Sequence, residues 1–402
     1  MNCTRLIGLL IAAGLAVAIG GPETRAQATN PVKIGLTTAL TGPYSEFGVS
    51  QKNVVEIAIE QANARGGVKG RPVVLVSYDD GLVPARAQSN MRRLLEEDKV
   101  DAVIAPAGSG PALAVAPLVV ADNVVMMTTI AQTTLIAYPN GMENKPYPQV
   151  FTFSLLNKTE AEVISTFVGK RYKKIGLLGE STTLGQEQLD FTTAMLKEKY
   201  DLTPVDREQY TQQDPDMTAQ IARLQRAEAD VIVLVGIAAD AAVIKKGLNR
   251  LGFKGALVGS LGVQSQPFKE LAGDLVIGAM GTAYNAFADF STAPPPAHEL
   301  AAAYLKKFGN DRYYGPNRDP IAYFGVTAAS YDGANVLLQA MDRAASLKTE
   351  AIIAELESGK PFPAARTTYT FSASRHHAVT ADMLGIYEYV KAGDQIVIKK
   401  AE

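Results

Sequence analysis

Residues 32–80, VKIGLTTALTGPYSEFGVSQKNVVEIAIEQANARGGVKGRPVVLVSYDD, constrain this chain more than any other stretch, because they spell a complete β-α-β unit. Residues 32–36 are a short β-branched run, and Thr41-Gly42-Pro43 ends it with turn formers. Val54, Ile57, Ala58 and Ala62 then recur at helical spacing, and Gly66-Gly67 stands where a helix C-cap belongs. Residues 73–78 are the second expected strand. Ligands of such sheets bind beyond the strand carboxyl ends, so the polar turn after the first strand is the first candidate site.

Ahead of this unit lies an export signal. Arg5 supplies a basic start, residues 6–20 (LIGLLIAAGLAVAIG) are apolar but too short for an ordinary membrane span, and Ala26-Gln27-Ala28 is an A-x-A cleavage site. Residues 1–28 are therefore expected to be removed after Ala28, so that the mature chain begins at Thr29. The single cysteine, Cys3, precedes the apolar run and cannot carry a lipid after cleavage. The mature chain then has no disulfide and is held by its core. Cleavage removes Arg5, Arg25 and Glu23, so 39 Lys+Arg becomes 37 and 41 Asp+Glu becomes 40. That balance gives no reason to invoke nucleic acid or an anionic membrane surface. The remaining length, 402 residues less 28, suits two domains better than one core.

Strand-like runs alternate with helical patterns almost to the end, which argues for parallel sheets flanked by helices. One set of strands is expected at 32–36, 73–78, 102–105, 124–128 and 150–153, and a second at 174–178, 203–205, 231–235, 256–259 and 276–280. Helical patterns fall between them, and the rhythm restarts near residue 150. Two doubly wound lobes account for that restart better than one very wide sheet. After Met280 the pattern changes: Pro294-Pro295-Pro296 reads as loop, helices follow at 298–308 and 320–344, and the chain closes with strand-like runs at 368–371 and 384–390.

These segments resemble the type I periplasmic solute-binding proteins of branched-chain amino acid ABC transporters. The resemblance covers the whole mature chain and rests on IGLTTALTGPYSEFG, NARGGVKGRPVVL, RRLLEEDKVDAVIAPAGSG and ASYDGANVLLQAMDRA, in that order behind a signal peptide. It implies an α/β fold of two Rossmann-like doubly wound lobes joined by a three-crossover hinge, in the periplasm. On that template the first lobe is 29–150 with 279–365, and the second is 151–278 with 366–402.

The turn Ala107-Gly108-Ser109-Gly110-Pro111 follows a strand and opens a helix. A serine there can offer its hydroxyl and nearby N–H groups to an anion, or can simply cap the helix. The resemblance implies the former, with the ligand carboxylate held by Ser109 and Gly110 and by the next turn, Thr128-Thr129-Ile130-Ala131-Gln132-Thr133. In that turn Gln132 stands nearest the family's threonine donor, with Thr133 one residue on and Ile130 beside them. Phe47 matches an aromatic that packs on ligand, and Tyr44 is its polar neighbour. In the second lobe Leu261 stands where the family has an ammonium-binding glutamate, and Leu184 and Ile237 where it has tyrosines. An ammonium desolvated without an anionic partner costs several kcal/mol, so this apolar wall suits an amino acid poorly unless Glu180 or Asp240 supplies the contact.

Other polar clusters read as structural. His298 and the pair His376-His377 make no metal spacing, Tyr78-Asp79-Asp80-Gly81 reads as a solvated turn, and Tyr313-Tyr314-Gly315-Pro316 as a surface loop or cleft rim. No nucleotide-binding or nucleophile–base motif is present. The expected protein is a monomeric receptor without cofactor, not an enzyme. It would capture a small carboxylate (aromatic, keto or short fatty acid) and deliver it to an ABC permease. Branched-chain or other amino acids, amides and urea are the alternative ligands, and an exported sensing domain for a signalling partner is the alternative role.

Overall fold

The computed structural model describes residues 30–42, 44–288, 290–309 and 324–402. The export signal at 1–28 and the Tyr313-Tyr314-Gly315-Pro316 loop lie outside the described residues. The chain opens with β1 (Val32–Thr38), α1 (Ser45–Ala64), β2 (Val73–Asp79), α2 (Pro84–Arg92), β3 (Ala102–Ile104), α3 (Ser109–Ala121), β4 (Val125–Thr128) and β5 (Val150–Thr152). The five strands form a parallel sheet in the order β2-β1-β3-β4-β5. α1 is helical because Val54, Val55, Ile57, Ala58 and Ala62 bury one stripe against that sheet. Gly67 turns the chain back at φ +78°, where a Cβ would lie 2.0 Å from the Arg71 carbonyl oxygen.

A second α/β series follows: α4 (Asn157–Arg171), β6 (Ile175–Glu180), α5 (Thr183–Tyr200), β7 (Asp206–Tyr210), α6 (Thr218–Arg226), β8 (Val231–Val235), α7 (Ala238–Arg250), β9 (Ala256–Gly259), α8 (Gln266–Ala272) and β10 (Ala279–Tyr284). The chain then forms α9 (Asn285–Ala288), α10 (Pro295–Phe308), α11 (Phe324–Arg343), α12 (Thr349–Leu356), β11 (Phe362–Pro363), β12 (Thr368–Tyr369), β13 (Leu384–Ala392) and β14 (Gln395–Lys400). The second sheet has seven strands in the order β14-β13-β10-β9-β8-β6-β7. Its β6 to β10 pairings are parallel, and β13 and β14 add antiparallel strands at one edge.

The structure moves several expected boundaries. Residues 279–284, expected in the first lobe, are β10, bonded to β9 on one side and β13 on the other. Residues 366–379, expected in the second lobe, stay with the first. Thr152 bonds His376 and Ala378 at 2.7 and 2.9 Å, so this segment extends the first sheet beyond β5. His376 is fully buried there, stacked on Phe151 at 3.9 Å and bonded to Val150 and Glu357, so it is not part of a polar loop. The strand expected at 203–205 is β7, a few residues later, because the charged run DREQY alternates exposure along a sheet edge. The proline triplet caps and opens α10, where a missing N–H is harmless.

Three chain crossings join the sheets, after β5, after β10 and before β13. Arg366 ties two of them together. Its Nε donates to Asp332 Oδ2 of α11 at 2.9 Å and its Nη2 to the Phe153 carbonyl at 2.7 Å. Its guanidinium lies 5.0 Å from the ring of Tyr284, the last residue of β10. Asp332 also accepts from the Ala365 N–H and the Tyr369 hydroxyl. Both charges are essentially without solvent contact. Replacing Asp332 by Ala leaves the guanidinium buried without its counter-charge, which is expected to cost about 3–5 kcal/mol in urea unfolding. A loss below 1 kcal/mol would show that water or other groups take over the pairing.

Candidate functional site

The carboxyl ends of both parallel sheets meet at one cleft. Tyr44, Phe47, Ile130 and Gln132 line it from the first lobe, and Leu184, Gly236, Ile237, Ser260, Leu261 and Gly262 from the second. The positions follow from topology: Tyr44 ends the β1–α1 turn and Phe47 lies in the first turn of α1, while Ile130 and Gln132 come from the turn after β4. Leu184 comes from the start of α5, and the others from the turns after β8 and β9. Tyr44 and Phe47 stack with ring centroids 4.5 Å apart. Phe47, Ile130, Ile237 and Leu261 belong to one apolar cluster that spans both lobes. The cavity is about 30 Å³, room for one or two waters.

Three expected site residues sit behind the lining. Ser109 opens α3, but its Oγ accepts the N–H of Gln132 at 3.2 Å, and it does not cap its own helix. It therefore ties the 107–111 turn to the turn that carries Gln132. Gly110 follows it on the helix, near Pro84. Thr133 is buried and turned from the cleft, its hydroxyl capping the Leu135 N–H. Sequence reasoning missed Gly236, Ser260 and Gly262. The Ser260 hydroxyl lies 3.3 Å from both the N–H and the carbonyl of Gly236, and a Cβ at Gly262 would come within 2.2 Å of the same carbonyl. The available signal was a glycine directly after each strand-like run, in VIVLVG and ALVGSLG.

Buried carboxyls stand behind the second lobe's apolar wall. Glu160 of α4 accepts the Leu261 N–H at 2.8 Å and the Gln188 side-chain amide at 2.9 Å. Burial pushes its pKa up to about 7, against the pull of those bonds. Gln188 Oε1, the other arm of that amide, is buried with no hydrogen-bond partner. Glu180 accepts from Thr182 and Gln212 at 2.5 and 3.0 Å, and burial raises it to about 7 as well. Its Oε2 would lie 3.7 Å from a Cβ at Gly236, so it stands just behind the cleft wall. Asp240 accepts the Gln213 N–H at 3.0 Å, its other oxygen is unpaired, and burial raises it to about 6. Burial foremost, and then the Glu180 charge, raises the pKa of the Tyr44 hydroxyl.

The Asp79-Asp80 pair is not a solvated turn. Asp79 Oδ1 accepts the N–H groups of Leu40, Thr41 and Gly81, and buried Asp80 accepts from Thr37 and the Leu82 N–H. These carboxylates set the path of the β1–α1 turn. Among the described residues no group of His, Cys, Asp and Glu could hold a metal ion, and no helix is long and apolar enough to cross a membrane.

The fold and cleft are those of a periplasmic binding protein, and the matching family profile, described as "Periplasmic binding protein", covers residues 31–394. The chain belongs to this family. A type 1 periplasmic binding protein from Bordetella pertussis Tohama I is 39% identical, with a TM-score of 0.88 over 92% of this chain and all of that one. Leu/Ile/Val-binding protein homolog 3 of Brucella melitensis is 26% identical over 85% of this chain and 87% of its own length. The substrate-binding protein LivJ of Streptococcus pneumoniae, solved with isoleucine, shares the fold at 20% identity and a TM-score of 0.75, over 92% of this chain and all of its own. The relatives of this periplasmic binding protein thus include proteins named for the binding of leucine, isoleucine and valine.

Two outcomes follow from the site. The folded protein holds the Glu160 proton up to about pH 7, whereas the unfolded chain loses it near 4.5, so stability falls as pH rises across that window. Glu160→Gln is expected to remove about 3 kcal/mol of that fall, read from urea unfolding at pH 5 and pH 8. Identical pH slopes for the two proteins would place the Glu160 proton elsewhere. Ser109→Ala, which frees the Gln132 N–H, is expected to weaken ligand binding by about 1–3 kcal/mol in calorimetry. Unchanged affinity would leave Ser109 a purely structural tie.

Proposed function

We propose that this protein captures a small carboxylate with an apolar body, an aromatic, keto or short fatty acid, and delivers it to the membrane permease of an ABC transporter. The observation that carries the ligand class is the lining: no Asp, Glu, Lys, Arg or His borders the cleft among the described residues. The starts of α3, α5 and α7 lie at or behind it, and helix N-termini favour negative charge. Burying roughly 100 Å² of a ring or chain against Leu184, Ile237 and Leu261 contributes about 2–3 kcal/mol. A cavity of about 30 Å³ admits such a ligand only if the walls part, so capture proceeds by opening and closing of the two lobes. The receptor acts as a monomer, without cofactor or catalysis, after export and cleavage behind Ala28.

A second reading is favoured by Glu180 and by the relatives named for leucine, isoleucine and valine. If Gly236 leaves a path to its carboxylate, Glu180 meets the ammonium of an amino acid in place of the family's glutamate at position 261. Calorimetry on matched pairs decides between them. 3-Phenylpropionate and 4-methyl-2-oxopentanoate are expected to bind at least about tenfold tighter than phenylalanine and leucine, since unpaired ammonium burial disfavours the latter. If the amino acids win, and Glu180→Gln then abolishes their advantage, the second reading replaces the first.

A further inference from the structure

The first turns of α5 face three ways at once. Leu184 borders the cleft. Gln188 bonds Glu160, which in turn holds the Leu261 N–H. Between them, Glu187 crosses to the other lobe: its Oε1 accepts the Thr134 N–H at 3.1 Å and the Thr134 hydroxyl at 2.5 Å. Its Oε2 accepts the side-chain amide of Asn157, the first residue of α4, at 2.7 Å. α4 and α5 pack on each other and serve the second sheet, whereas Thr134 lies in the turn between β4 and β5 of the first. The Glu187 carboxylate is thus bonded within its own lobe to Asn157, whose backbone N–H in turn reaches the Gln132 carbonyl of the first lobe at 2.8 Å, and directly to the opposite lobe through Thr134.

We infer that Glu187 is a closure latch, a carboxylate on the second lobe that stabilises the shut form by bonding Thr134 on the first without touching the ligand. The inference rests on the two-lobe capture described above. Thr134 is 3% exposed, so its hydroxyl is desolvated in the closed form and has the carboxylate as its partner there. Bonds from neutral donors to a carboxylate are among the stronger hydrogen bonds. Leu184 and Glu187 are one helical turn apart on the same face, so a movement that brings Leu184 onto a ligand also brings Glu187 onto Thr134. Latch and ligand then favour the same state, and loosening the latch lowers the closed fraction for every ligand by the same factor. The cleft wall chooses the ligand, and Glu187 sets how firmly any ligand is held.

The test compares wild type with Glu187→Ala, Glu187→Gln and Thr134→Val, each first shown to melt cooperatively. Small-angle scattering reads the ligand-free form, and calorimetry reads 3-phenylpropionate, 4-methyl-2-oxopentanoate and leucine. Ligand-free Glu187→Ala is expected to have a larger radius of gyration than wild type. Each probe that binds should lose about tenfold or more in affinity, by a common factor, with Glu187→Gln between the two. Thr134→Val keeps the backbone bond and loses the hydroxyl, so it shifts both readouts less and adds little on top of Glu187→Ala. Equal radii for the ligand-free proteins, or equal affinities, overturn the latch. A loss confined to one probe overturns it too, because Glu187 would then be a ligand contact. If no probe binds wild type, the ligand assignments fail, while the ligand-free radii still decide the latch.

Discussion

The buried pair of Arg366 and Asp332 is the interaction on which the two-sheet arrangement depends. A guanidinium out of water is costly unless its charge is met, and here the charge is met by Asp332, and two of its donors by Asp332 and the Phe153 carbonyl, all far from it in sequence. Phe153 begins the first crossing, Tyr284 ends β10 before the second, and Asp332 sits on α11. One side chain therefore records whether both crossings have returned to their places. That fixes where the first sheet stops and explains why β10 belongs to the second, since Tyr284 reaches back to Arg366 from the end of a strand paired to β9 and β13.

With the sheets held at that junction, their carboxyl ends face each other and the turns beyond them become the cleft. The first-lobe turns are tied by hydrogen bonds that run behind the lining. Ser109 bonds Gln132, and the buried amide of Gln51 bonds the Ala105 carbonyl and Thr129 at 3.0 and 2.9 Å. In the second lobe the ties are carboxyls: Glu160 holds Leu261, and Glu180 and Asp240 brace the segments around Gly236 and Gln213. Charge is thus kept one layer away from the surface a ligand meets. The cost of burying these groups raises their pKa values, and the proton each can retain near neutral pH lowers that cost.

Much of this was legible along the chain. The β-α-β unit at 32–80, the restart near residue 150 and the two strand-like runs at the end are periodic signals. The 203–205 strand misses an observed strand and the 276–280 strand shares only 279–280 with β10, whereas the others coincide with or overlap observed strands. Seven of the ten expected site residues border the cleft, because a turn after a parallel strand can point only toward the sheet's carboxyl end. Ser109 and Thr133 fall one layer behind because a hydroxyl beside a turn serves a nearby N–H as readily as a ligand, and Gly110 follows Ser109 onto the helix. His376 and Asp80 were misjudged because polar residues in loops are usually solvated, and their burial follows from partners over 40 positions away.

The order of apolar and turn residues by itself determined an α/β chain with two sheets of parallel strands, and which turns could carry a site. Local periodicity contains that much, since strand, helix and glycine stop are decided within a few residues. Tertiary structure alone decided that 279–284 joins the second sheet and 366–379 the first, that Arg366 pins their junction, and that Glu187 meets Thr134. Those outcomes depend on long-range pairing and on which buried charge finds its partner, and the energy of a buried charge is fixed only when the whole fold has closed around it.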